Sequence, residues 1–117
     1  MIAPWYSIAY TKLDRIAWRH GYALALHGSM SRDLDLIAVP WMDDASSPSE
    51  LIKAFRNFVV SKTGVNLKIE KPVKKPHRRL AYSIPIGYDG HYLDVSIMPR
   101  SNTACSRPAK QRQMSNH

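Results

Sequence analysis

Aspartate is disfavoured in β-strands, so two of them at the mouth of an apolar run call for a physical reason. The run is Asp33-Leu34-Asp35-Leu36-Ile37-Ala38-Val39. In an extended chain the period of two sets Asp33 and Asp35 on one face, with Cβ atoms about 6.5–7 Å apart. Holding two like charges there costs on the order of 1–4 kcal/mol, depending on the local dielectric. A divalent cation between them relieves that repulsion, and hard carboxylate oxygens suit Mg²⁺ or Mn²⁺. Pairing with Arg32 or with a basic loop further along the chain is the competing account. A third carboxylate, Asp94, interrupts the otherwise apolar Tyr92-Leu93-Asp94-Val95-Ser96-Ile97-Met98. With this strand beside Leu34–Val39, Asp94 joins Asp33 and Asp35. Three carboxylates can hold two ions about 3.5–4 Å apart, the geometry used for in-line phosphoryl transfer. Asp94, Ser96 and Met98 share one face, so a polar outer face explains Asp94 equally well.

Two accounts also fit Gly28-Ser29, just before the acidic strand. It is a tight turn between strands, or its backbone N–H groups approach a phosphate closely. Cations to meet such phosphates are Arg32 and the cluster Lys68, Lys71, Lys74, Lys75, Arg78 and Arg79, opposed only by Glu70. Within it Lys74, Lys75, Arg78 and Arg79 are expected to track a nucleic-acid backbone or neutralise a nucleotide's phosphates, although charge runs are commonly just solvated loops. His27 reads as a packed or hydrogen-bonded side chain, and His77 and His91 have no zinc-like spacing. Ser29 lacks a His–Asp relay. Trp5, Trp18 and Trp41 read as core or rim packing, with base stacking by Trp41 as the sharper alternative.

These residues sit in a chain of 117 residues, enough for one domain. Apolar residues make up 44% and charged residues 22%, ordinary for a globular chain, while the formal charge of +8 is not ordinary. It points to anionic partners. The lone Cys105 excludes an internal disulfide framework and a cysteine-based zinc cluster, which fits a cytoplasmic setting. No run approaches the ~18 apolar residues of a membrane span, so no membrane partner is expected. Residues 100–117 hold four Lys or Arg and no acid, and read as a basic disordered tail after a folded unit of residues 4–99. That unit keeps the other +4.

The elements that must position the acids read as helix, two strands, helix, three strands. The first helix spans about Tyr6 to His20, with Ile8, Leu13, Ile16 and Ala17 on its apolar stripe. Tyr22 to Leu26 reads as a short buried strand, and Leu34 to Val39 as a central strand buried on both faces. Ser47-Pro48-Ser49-Glu50 is a capping box that opens a second helix, whose Leu51, Phe55, Phe58 and Val59 share a face before Gly64. Val65 to Lys71 is expected as a third strand, followed by a basic loop held open by Pro72 and Pro76. Arg79–Ile86 and His91–Met98 form a hairpin across Gly87-Tyr88-Asp89-Gly90, with Pro85 marking an edge or bulge. The fold class is α+β, with a mixed or antiparallel sheet of about five strands.

In Gly28-Ser29, Asp33-Leu34-Asp35 and Asp94 the chain resembles the nucleotidyltransferase superfamily with the DNA polymerase β-like palm and its minimal MNT-type domains. Those domains carry a Gly-Ser ending one strand, an Asp-x-Asp opening the next, and a later third acid. The resemblance covers about residues 20–98. It implies Mg²⁺ or Mn²⁺ with a nucleoside triphosphate, Asp33 and Asp35 as metal ligands, and Asp94 as ligand and base. The reaction implied is transfer of a nucleoside monophosphate to a hydroxyl of an unidentified acceptor, nucleic acid or protein. Only Met30, Ser31 and Arg32 separate Gly28-Ser29 from Asp33, where family members place a helical turn or more. That short spacing motivates a second reading: a catalytically degenerate module that binds nucleic acid or a protein partner, for example as an antitoxin does. The single-domain format suits a bacterial or phage protein.

Overall fold

The computed structural model describes residues 4–28, 33–66, 68–86 and 91–100. Ser29, Arg32, the Gly87–Gly90 turn and the basic segment from Ser101 onward lie outside the described residues. Helix α1 (Pro4–Arg19) buries Tyr6, Ala9, Leu13 and Ala17 at spacings of three and four. Ile8 is not on that stripe. It stands one residue, about 100° of helix rotation, away from Ala9 and is 66% exposed.

Helix α2 (Pro48–Thr63) begins as its sequence dictates. The Ser47 hydroxyl accepts from the Glu50 amide at 3.3 Å, and Glu50 Oε1 accepts from the Ser47 amide at 3.4 Å. At the other end Gly64 takes a left-handed φ of 73° and its N–H reaches the Val60 carbonyl. Leu51, Ile52, Phe55 and Val59 are buried, while Phe58 packs at the margin of the core.

Five strands form one mixed sheet, an α+β domain as expected. They are β1 (Tyr22–His27), β2 (Leu34–Pro40), β3 (Val73–Lys75), β4 (Arg79–Pro85) and β5 (Tyr92–Ile97). Their order across the sheet is β1-β2-β5-β4-β3, and only β2 and β5 run parallel. The third strand is Val73–Lys75, not Val65–Lys71. Val65 is exposed and Ile69 packs only at the core margin, and the described residues of that segment have no ladder partner. The basic loop expected between Pro72 and Pro76 is thus partly strand, and a 3₁₀ turn (Pro76–Arg78) joins it to β4. Because β3 pairs only with Arg79–Ala81, Pro85 lies where the outer edge of β4 has no strand partner among the described residues.

Both helices cover the same face. Leu34, Leu36 and Ala38 of β2 and Leu93, Val95 and Ile97 of β5 point into the core with Tyr82 and Ile84 of β4. Two expectations are corrected here. Strand β1 is an edge strand on which only Tyr22 and Leu24 are buried, and β2 is buried on one face rather than two. The apolar Ile37 and Val39 lie on the face that no described helix covers, here called the uncovered face, and Val39 is exposed. Past the end of β2 the Trp18 and Trp41 rings stack with centroids 4.6 Å apart. They form an exposed rim rather than core.

Candidate functional site

Register places the acids on the uncovered face. Asp35 of β2 stands beside Asp94 of β5, Asp94 beside Ser83 of β4, and Asp35 beside His27 of β1. Four strands thus contribute one polar row, His27–Asp35–Asp94–Ser83. Strand β5 is central, so Asp94 is not the solvent-facing residue of an edge strand; it is half-buried between two neighbours.

The carboxylates are held individually. The Ser83 hydroxyl donates to Asp94 Oδ1 at 2.7 Å. Burial, the neighbouring Asp94 charge, a hydrogen bond shared with Asp94, and the Asp33 charge together raise the Asp35 carboxyl above the usual range, against an opposing pull from His27. Asp33 faces a different partner: its Oδ1 accepts from the Tyr92 backbone amide at 3.0 Å, tying the start of β2 to the start of β5. The Tyr6 phenol on α1 is raised by burial and then by Asp33, Asp35 and Asp94, so all three acids act on one end of the sheet. Its hydroxyl lies 3.3 Å from His91 Nδ1.

Gly28 belongs to this cluster for a steric reason. Its φ is +78°, and a Cβ added there would lie 2.9 Å from Asp35 Oδ2. Only glycine lets the backbone pass this close to the carboxylate. The position expected to approach a phosphate therefore also packs directly on the acid.

The same face carries cations at its far end. Pairing puts Lys75 opposite Arg79, and parity places both on the side of Ser83 and Asp94. Lys74 pairs with Leu80 and lies on the helix side of the sheet, while Arg78 sits in the 3₁₀ turn with a positive φ of 62°. Of the four cations expected to meet phosphates, Lys75 and Arg79 share the acids' face, Arg79 because the alternation Arg79-Leu80-Ala81-Tyr82-Ser83 sets it on the face of Ser83. Asp35, Asp94, Ser83, Lys75 and Arg79 border an open groove of about 490 Å³.

Two carboxylates and a hydroxyl on neighbouring strands can hold one hard cation through Asp35 and Asp94, or share one proton in its absence. Among the described residues no group of three His, Cys, Asp or Glu side chains is arranged as a complete metal cage. Asp33, engaged by the Tyr92 amide, is the acid that stands apart from the pair. Comparison with protein-family models, curated proteins and solved structures returned no match. Among the described residues no helix is long and apolar enough to cross a membrane.

Proposed function

We propose that this chain is a Mg²⁺- or Mn²⁺-dependent nucleotidyltransferase-like domain that transfers a nucleoside monophosphate from a nucleoside triphosphate to a hydroxyl acceptor. Support comes from one observation above all: Asp35 and Asp94 stand in register on adjacent strands, on the sheet face that neither helix covers. Their oxygens fit a hard divalent ion, and such an ion, when bound, supplies charge neutralisation at the phosphates. Asp35 binds and orients. Asp94, kept in place by Ser83, takes the proton of the attacking hydroxyl as its oxygen bonds to the α-phosphorus and the pyrophosphate oxygen leaves. Gly28 keeps the backbone clear of the Asp35 carboxylate. A cytoplasmic setting accords with a nucleoside triphosphate as donor.

The engagement of Asp33 by the Tyr92 amide favours a second reading, a catalytically degenerate module that uses the same face to bind nucleic acid or, antitoxin-like, a protein partner. Thermal melts separate the two. Mg²⁺ with a nucleoside triphosphate should raise the Tm of the wild type, and Asp35→Asn should remove that rise. A wild type indifferent to metal and nucleotide would eliminate the transferase.

A further inference from the structure

The uncovered face is electrically polarised along its strands. At one end lie Asp35 and Asp94; four residues further along β4 from Ser83 lies Arg79, with Lys75 paired beside it. At about 3.4 Å per residue, that is roughly 13–14 Å of sheet. The floor between the two ends is mostly aliphatic: Ile37, Ala81 and Val73 register in one continuous row through Ser96. Nothing charged interrupts that row. Such a surface suits a ligand with anionic groups at intervals and planar apolar parts between them.

Three features restrict the ligand further. The groove is open rather than enclosed, so a chain can run through it and out past the β3–β4 turn. Lys74, His77 and Arg78 are exposed around that turn, extending the positive surface beyond the groove. A ligand bridging Lys75 and Arg79 to the acid pair must also span about 13 Å, which a strand stacked at ~3.4 Å per nucleotide covers with about four nucleotides.

We propose that the hydroxyl acceptor is a single-stranded nucleic acid whose backbone is gripped by Lys75 and Arg79 and whose terminal hydroxyl is led along the open sheet face to Asp35 and Asp94. This rests on the transferase reading above for its chemistry, but the binding track stands on the cation pair and the groove. The transfer balances as before: the terminal oxygen gains the phosphorus bond, its proton goes to Asp94, and pyrophosphate leaves.

The test uses the full chain and a short, mixed-sequence, fluorescently labelled RNA or DNA oligonucleotide, titrated across a salt series. Wild type should bind with a log–log salt slope that drops by about 1.4 in Lys75→Ala/Arg79→Ala, since each single-strand phosphate contact contributes about 0.7. Affinity should fall about tenfold or more. The double variant Lys12→Ala/Lys53→Ala, with both changes on the helices of the covered side, should bind as wild type does. The wild-type Tm rise with Mg²⁺ and nucleoside triphosphate, measured alongside, tests the transferase reading separately from the track. Mg²⁺ should tighten oligonucleotide binding, and Asp35→Asn should erase that increment. Equal losses in both double variants, or no binding at low salt, overturn the proposal. If the nucleotide response persists in either case, the transferase reading survives without it. Equal affinity for blunt duplex overturns the single-strand assignment, and binding by a protein partner that is insensitive to Lys75 and Arg79 assigns the face to another ligand.

Discussion

Replacing Asp35 by asparagine should make the metal-free protein more stable at neutral pH. Asp35 and Asp94 are register partners on neighbouring strands, and burial followed by the Asp94 charge raises the Asp35 carboxyl, so in the absence of a cation two carboxylates compete for one small volume. Two unit charges about 4 Å apart repel by about 1 kcal/mol in water and about 4 kcal/mol at an effective dielectric of 20. Asp35 is half-buried, so screening puts the repulsion at the lower end, about 1–2 kcal/mol. Asparagine removes one charge and offers an amide donor to Asp94, leaving the Ser83 bond untouched. For a domain of this size each 1 kcal/mol moves the Tm by about 4–8 °C. The sign with pH follows from the raised carboxyl. Folding favours the neutral Asp35, so its contribution is fully present below the ordinary value of 3.8 and is lost as pH rises through the elevated folded value. The Tm advantage of Asp35→Asn over wild type should accordingly be largest at pH 7 and shrink as the buffer is acidified. Differential scanning fluorimetry over a pH series without divalent metal reads it directly, with Asp94→Asn as a second variant expected to behave alike. A Tm at pH 7 that is unchanged or lowered in both would refute the carboxylate competition and, with it, the closeness of the pair.

Mg²⁺ should reverse that order, because only the wild-type pair gains from the ion; at a hundredfold excess over Kd, binding adds about 2.7 kcal/mol, read as a Tm rise absent from Asp35→Asn. Gly28→Ala forces a Cβ against Asp35 Oδ2 at a left-handed φ, and should cost about 1–2 kcal/mol while weakening the Mg²⁺ response. Ser47→Ala removes the α2 cap and should cost about 1 kcal/mol by chemical denaturation, with the Mg²⁺ response intact.

Local chemistry was legible in the sequence where a single segment decides it. The Ser47–Glu50 capping box fixes the start of α2 by its own hydrogen bonds, and the isolated Asp94 within an apolar strand marks a residue with a special neighbour. What could not be read was which face of the sheet the helices cover. Ile37 and Val39 made β2 look buried on both sides, whereas they line an uncovered face whose floor is apolar. The third strand was misplaced for a related reason: Val65 and Ile69 alternate like a strand, but pairing depends on a partner edge that only the tertiary fold provides. Gly28 was legible as a turn, yet its approach to Asp35 arises from the β1–β2 register. The same holds for Arg79, whose relation to Asp94 depends on two strand pairings at once.

Among the described residues the strand latest in sequence, β5, is the middle strand of the sheet. Strands β1 and β2 are sequence neighbours, as are β3 and β4, and each pair can form locally before β5 exists. Strand β5 must then join both, bringing Asp94 beside Asp35 across 59 residues of sequence. Contacts of such separation close late and slowly, since the loop entropy must be overcome before the ladder rewards it. A nascent chain therefore carries Asp35 without the partner acid until residue 94 has been added. The acid pair comes into being with the final cooperative step of folding, so its metal response can serve as a clock for that step in refolding experiments.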